Sequence, residues 1–332
     1  MALKNRISQI PGHKAYQLVD GVGVWDRANG TFETLYWLDD YFDVINERGI
    51  FSDQSKSIGC TTEHWTKNKQ TFDVQDWSHA NSIFSSTTGD VLVSIRNLDA
   101  VIALARDGSG KRWVLSGNPN VTSDFEFDPP DGRFWSQHDV TMLSNGNLFV
   151  MDNGDTRPGC NAHKVDGNCW SRGAEYFLNF TSMRAQMVWE FRPNHPLDEG
   201  GSSQAFLYSK AKGSVTEVSD GSRLIAFPAV VWYDETSSQS YHNVSFFIYQ
   251  VDDSSSWQPD EKEQHVKSSI VIDSDLQTGW PYPYRAVHRE SVFGEQSTMH
   301  SYSETTSSAA DLAHLADLAD LATTAAANRR SR

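Results

Sequence analysis

What most constrains this chain is a repeated grammar: a glycine-containing polar turn, a short strand of β-branched or aromatic residues, a second turn, and another strand often ending near tryptophan. GHKAYQLVDGVGVWD with TFETLYWL, Gly12 to Leu38, is the first such module, and GDVLVSIRNLDAVIALARDGSGKRWVL, Gly89 to Leu115, is the clearest. GNLFVMDNG, followed after an excursion by AEYFLNF and AQMVWEF, repeats the pattern from Gly146 to Phe191, and GSRLIAFPAVVWYD with VSFFIYQVD repeats it from Gly221 to Asp252. Together with 11 Trp and a 12% aromatic share, these strands predict an all-β fold, because aromatic and β-branched side chains suit half-buried pleated surfaces. Recurrence of modules of this length points to a β-propeller, in which small antiparallel sheets repeat radially. A β-sandwich, the alternative, gives no reason for the recurrence. About four or five modules are legible, where a propeller closes with roughly 4 to 8 blades.

The propeller is expected over residues 1–300. From Ser301 the sequence becomes SYSETTSSAADLAHLADLADLATTAAANRRSR, in which Leu312, Leu315, Leu318 and Leu321 recur every third residue. That period drifts around a helix and makes a poor packing face, so 301–332 reads as a low-complexity tail, disordered or marginally helical. The net charge of -15 comes with no Lys/Arg cluster, which argues against a nucleic-acid partner. No segment approaches the ~18 consecutive apolar residues of a transmembrane helix. The opening MALKNRISQIPGHKAYQL also lacks the apolar run of a signal peptide.

Three cysteines bear on compartment. Cys160 and Cys169 bound a short Gly- and Asn-containing loop, CNAHKVDGNC, while Cys60 stands apart. The set Cys160, His163, Cys169 lacks paired CxxC spacing and a fourth ligand, so a disulfide is preferred to a metal site. Acceptor sequons at Asn29, Asn120, Asn179 and Asn243 are compatible with an oxidising secretory route and with glycosylation.

There is no GxSxG elbow, no HExxH and no GxGxxG, and GSGKRW at Gly108 to Trp113 lacks the rest of a phosphate-binding loop. What remains is an ordered set: His79 and Asn81 in DWSHANSI, Arg96 in SIRN, His138 in QHD and Asn153 in MDNG. Singly, each has an ordinary reading. A lone histidine is more often a hydrogen-bonded structural residue than a catalyst, Arg96 could pair with an acid, and DNG is a turn signal. Each lies at a strand edge or turn, however, and in a propeller such positions can converge on the central channel.

The order DWSHANSI, GDVLVSIRNLDAVIAL, W with LSG, DFEF, QHDVTMLSNGNLFVMDNG, SRGAEYFLNF, MVWEF and YRAVHRES resembles the arylsulfotransferase family, which moves sulfuryl groups between phenols without a nucleotide donor. The likeness runs from about Gly12 to Glu295 and is strongest between Asp76 and Phe191. It implies a six-bladed propeller with its active site in the central channel, no cofactor, and as partners a phenolic sulfate donor and a phenol acceptor. By resemblance the transiently sulfated histidine is His138, the other acid/base histidine His79, the sulfate-contacting asparagine Asn81 and the arginine Arg96. Asn153 and Arg157 lie near this array without a carried-over role. The residue types suit the chemistry independently. Charge on a sulfuryl group in flight spreads over three oxygens that Arg and Asn can address, a neutral imidazole can attack sulfur, and a second imidazole can shuttle the phenol proton.

The resemblance also implies a further active-site histidine upstream. His13 in PGHKAYQL resembles the glycine-histidine beside that position rather than the position itself. A missing N-terminal segment is therefore expected, one that would account together for the lack of a leader, the low blade count and the absent histidine, and that could leave this chain inactive. Two other functional classes stay open at this stage: a non-catalytic secreted binding propeller, and a propeller hydrolase in which Asp152 or Asp155 holds a metal.

Overall fold

The computed structural model describes residues 1–9, 16–42, 61–67, 70–86, 88–160, 168–194, 206–228, 230, 232–234, 239–241, 244–252 and 266–274. The tail 301–332, His13, Cys60, His163 and Asn243 lie outside the described residues.

Strands β1 (Ala2–Gln9), β2 (Tyr16–Asp26), β3 (Thr31–Trp37), β4 (Thr61–Lys67) and β5 (Gln70–Asp76) form a first sheet in the order β1-β2-β5-β4, with β3 on the second half of β2. Strands β6 (Ala80–Ser85), β7 (Asp90–Ile95), β8 (Ala100–Ala105) and β9 (Lys111–Ser116) form a second, an antiparallel meander. In the third sheet, β10 (Glu126–Asp128) runs parallel to β14 (Arg184–Phe191), followed across the sheet by β13 (Arg172–Asn179), β12 (Leu148–Asp152) and β11 (His138–Met142). The fourth contains β15 (Ser214–Glu217) and β16 (Arg223–Phe227), then, beyond a separate ribbon of β17 (Trp232–Asp234) and β18 (Gln239–Tyr241), β19 (Val244–Val251) and β20 (Val266–Ser274). The fold is all-β, a propeller of which the described residues build these four sheets.

The continuous apolar runs explain why the sheets stack. In β8, Ala100, Ile102 and Leu104 pack toward the first sheet while Val101 and Ala103 pack toward the third. In β12, Leu148 and Val150 face the second sheet, and Phe149 and Met151 face the fourth. Alternate side chains point to opposite faces of a strand, so a strand covered on both faces reads as an uninterrupted apolar run. Each fully buried Leu, Ile or Phe in such an interface stabilises by about 1.5–3 kcal/mol.

The expected module boundaries need correcting. The second sheet begins at Ala80, not Gly89, because DWSHANSI supplies its first strand. The first sheet begins at Ala2, ahead of Gly12. In the fourth, the inner strand is β15, and WYD leaves the sheet for the ribbon. A glycine marks a turn within each sheet as readily as one between sheets, so turn signals alone do not say where a blade starts.

Candidate active site

Each of the two central sheets opens with the same device. Before β6, His79 takes a left-handed backbone with φ 48°, and the β6–β7 ladder bulges between Ala80 and Ser82, at Asn81. Around β11, Ser136 and Asp139 are left-handed at φ 49° and 47°, and the β11–β12 ladder bulges between His138 and Val140. Bulges and left-handed residues re-aim side chains at the end of a strand, and both cluster at functional sites. The matching positions on the neighbouring strands are Arg96, just after β7, and Asn153, just after β12. Gly154 closes the second turn at φ +76°, where a Cβ would fall 2.2 Å from the Trp170 carbonyl oxygen, so glycine is required.

Asn153 sets the state of His138. Its Nδ2 donates to the carbonyls of Ser209 (2.8 Å) and Lys212 (2.9 Å), which turns its Oδ1 toward His138 Nδ1 at 2.8 Å. An oxygen there can only accept, so Nδ1 carries the proton and Nε2 keeps its lone pair. His138 is only 3% exposed. Burial, then the positive charge of Arg96, and in smaller part His79, push its pKa down to about 3. The ring is therefore neutral across the physiological range, and Arg96 and His79 are close enough to bear on it.

His79 is held from below by acids. Its backbone N donates to Asp76 Oδ1 at 3.0 Å, and its Nδ1 meets Asp76 Oδ2, leaving Nε2 as the ring nitrogen open to a substrate. Asp20, on β2, accepts from Ser78 Oγ (2.6 Å) and Ala80 N (2.8 Å), pinning the residues on either side. Burial raises the Asp20 pKa. The His79 side chain is 40% exposed, against 3% for Asp76, so the ring can be reached while its orienting carboxylate cannot.

Arg96 donates from one amino group to Asp155 at 2.8 Å and from the other to Asn97 Oδ1 at 3.1 Å. Asp155 also accepts from the Tyr208 hydroxyl at 2.6 Å. Burial and the Asp155 charge push that hydroxyl's pKa upward, so it stays a donor. Arg96 does pair with an acid, as one of its ordinary readings held, but that pair uses part of a five-donor fork. Asn81 Nδ2 donates to the carbonyl of Gln137 at 2.8 Å, next to His138, and Asn81 Oδ1 has no partner in the protein.

His79, Asn81, Arg96, His138 and Asn153 are thus brought to one edge of the two central sheets. Arg157 is not among them: it pairs with Asp152 at 2.8 Å and stacks on Trp170. Asp76, Asp155 and Tyr208 were missed as orienting groups. For Asp76 a signal existed, three residues before His79; Asp155 and Tyr208 lie far from Arg96 in sequence. Asp152 and Asp155 are both engaged by guanidinium groups, and among the described residues no group of three His, Cys, Asp or Glu could hold a metal ion. Cys160 and Cys169 are joined by a disulfide. Asn29 and Asn120 are exposed, and Asn179 Oδ1 accepts from the backbone of Thr181 and Ser182 at 3.0 Å each. Among the described residues no helix is long and apolar enough to cross a membrane.

Comparisons with known proteins follow from the sequence as a whole. A family model described as Arylsulfotransferase (ASST) matches residues 5–285. A search of curated proteins finds no match. Among solved structures, the chain is similar to a streptogramin B lyase at 12% identity and TM-score 0.26, covering 58% of this chain and 56% of that one. It is similar to a virginiamycin B lyase from Staphylococcus aureus at 10% identity and TM-score 0.25, covering 66% and 61%. A protein of unknown function from Bacteroides caccae is similar at 14% identity and TM-score 0.27, covering 77% and 82%. The chain spans less than two thirds of the two lyases' lengths, and likeness this low carries no argument about chemistry.

Proposed function

From the premise that the chain belongs to the arylsulfotransferase family, we propose that it moves a sulfuryl group from a phenolic sulfate ester to a phenol acceptor through a sulfated His138. The observation that carries this reading is the neutral His138 ring, protonated at Nδ1 and held by Asn153, beside the charge of Arg96. Nε2 attacks sulfur, the S–O bond to the phenol breaks, and its electron pair leaves as phenolate. His79 enters the cycle as the imidazolium, its Nδ1–H on Asp76, and its Nε2 proton neutralises the leaving group. In the second half the same nitrogen takes the proton of the incoming phenol as its oxygen attacks the sulfated His138.

Arg96, fixed by Asp155 and Asn97, presents its remaining N–H groups to the equatorial oxygens, and the second N–H of Asn81 adds another donor. Because these groups are oriented before substrate arrives, they need little reorganisation as charge develops. The Cys160–Cys169 bridge and the sequons support a secretory location.

The test is incubation with 4-nitrophenyl sulfate with and without a phenol. Transfer that depends on the acceptor supports the proposal. Acceptor-independent release of sulfate would indicate a hydrolase, and neither binding nor turnover of any aryl sulfate would leave a non-catalytic binding propeller.

A further inference from the structure

We infer that a cavity apart from His138, on the outer part of the sheet edge that carries it, binds a flat aromatic organic anion. The third sheet presents at one end the first residue of β11 (His138), the last of β12 (Asp152), the first of β13 (Arg172) and, just beyond β14, Arg192. Outward from His138 along this edge lies a cavity of about 460 Å³, lined among others by Arg133, Arg157, Arg172, Arg192, Trp135 and Trp170. That volume is within the ~300–1,000 Å³ typical of small-molecule sites. None of His79, Asn81, Arg96, His138 or Asn153 lines it.

Its charge is opposite to that of the whole molecule. Four guanidinium groups face two lining carboxylates, Asp131 and Glu190, in a chain of net charge -15. Two of the four are structural. Arg172 is saturated by Asp152 (3.0 Å), Glu190 (2.7 Å) and the carbonyls of Gly132 and Arg133 (3.0 and 2.9 Å), and Arg157 shares Asp152 with it. Arg133 and Arg192 make no ion pair among the described residues. Arg157 Nε is buried and has no partner in the protein. Burial pulls the pKa of both Arg157 and Arg192 downward, against the opposing charges of Asp152 and Glu190 respectively.

The aromatic half of the site is equally specific. The Trp170 ring has the Arg157 guanidinium at 3.4 Å and that of Arg192 at 4.6 Å, and the Cys160–Cys169 bridge anchors the residue before it. Trp135 and Trp170 are only half-buried. Planar guanidinium groups address carboxylate or sulfonate oxygens two at a time, and while Trp170 holds the guanidinium groups in place, the half-buried Trp135 indole, with no guanidinium over it among the described residues, can take a flat ring. An aryl ring bearing a carboxylate, sulfonate or sulfate ester uses both. Binding here requires no sulfuryl transfer, so it stands or falls separately from the proposed activity.

Calorimetric titration with 2-naphthalenesulfonate, whose C–S bond resists transfer, tests the site, with inorganic sulfate as the comparison. In an Arg96→Gln background, where the anion site beside His138 is weakened, the probe is expected to bind saturably and at least about tenfold more tightly than sulfate, with about tenfold weaker binding when Arg133→Gln or Arg192→Gln is added. Arg133 makes no ion pair among the described residues, so Arg133→Gln should retain the parent unfolding transition, whereas Arg192→Gln also loses the stacking of Arg192 on Trp170 and Phe206 and should unfold at a lower temperature. Absence of saturable binding in that background, equal affinity for sulfate, or undiminished binding when Arg133→Gln is added would overturn the assignment.

Discussion

At the scale of single residues, the proposed transfer turns on which nitrogen of His138 carries the proton. Asn153→Leu removes the acceptor at Nδ1 and one donor to each of the carbonyls of Ser209 and Lys212. A drop in phenol release of roughly 10²- to 10³-fold is expected in a stopped-flow burst, on the scale of losing an oriented catalytic group. A burst rate at the parental level would show that the tautomer does not matter. Arg96→Lys keeps a charge but loses the fork, and turnover should fall by roughly ten- to a hundredfold while the unfolding temperature stays near the parent value; the reverse pattern would make Arg96 purely structural. His79, Asn81, Arg96, His138 and Asn153 stood out as candidates in the sequence because each sits where a strand meets a turn and because their order resembles the arylsulfotransferase family. Asp155 and Tyr208 did not, since their contacts to one another and to Arg96 span 53 and 59 residues and arise only when adjacent sheets pack.

At the scale of elements, Gln137 ties the second and third sheets together just before His138. Its Nε2 donates to Ser94 Oγ (3.2 Å), Ile95 O (3.2 Å) and Ala100 O (2.7 Å), and its own carbonyl receives Asn81. Gln137→Leu would strand buried acceptors at a cost of about 1–3 kcal/mol each. Thermal unfolding should therefore shift down by several degrees, and the burst should slow as His138 loosens; an unchanged transition would contradict the clamp. Replacing Cys160 and Cys169 by Ser should cost about 2–3 kcal/mol in the chain-entropy model, read by chemical denaturation. Strand type and the apolar runs were legible in the sequence from their composition. Blade boundaries were not: β6 hides in a stretch read for its histidine, and the three-residue β10 has no periodicity and pairs only because β14 offers it a free edge.

At the scale of the whole molecule, burying a neutral histidine links stability to pH. His138 in the unfolded chain binds a proton near the reference value of about 6.5, whereas in the folded chain it does so only at about 3. Between those values the unfolded state holds more protons, so stability falls as pH drops from 6.5 toward 3, at up to about 1.4 kcal/mol per unit from this residue. His138→Gln should show a correspondingly flatter profile over that window in denaturant titrations, and parallel profiles would place the folded pKa near the reference value. The acidic surface was legible from composition, but the cationic cavity was not, because Arg133, Arg157, Arg172 and Arg192 come from separate elements and meet only on folding. If His138 carries the sulfuryl group between two phenols, protein mixed with 4-nitrophenyl sulfate in the absence of acceptor, quenched in base and digested should show by mass spectrometry one added SO3 on the peptide containing His138, equal in amount to the first nitrophenol released and discharged by added phenol. Nitrophenol release with His138 unmodified, or the same label on a His138→Ala protein, would contradict that role.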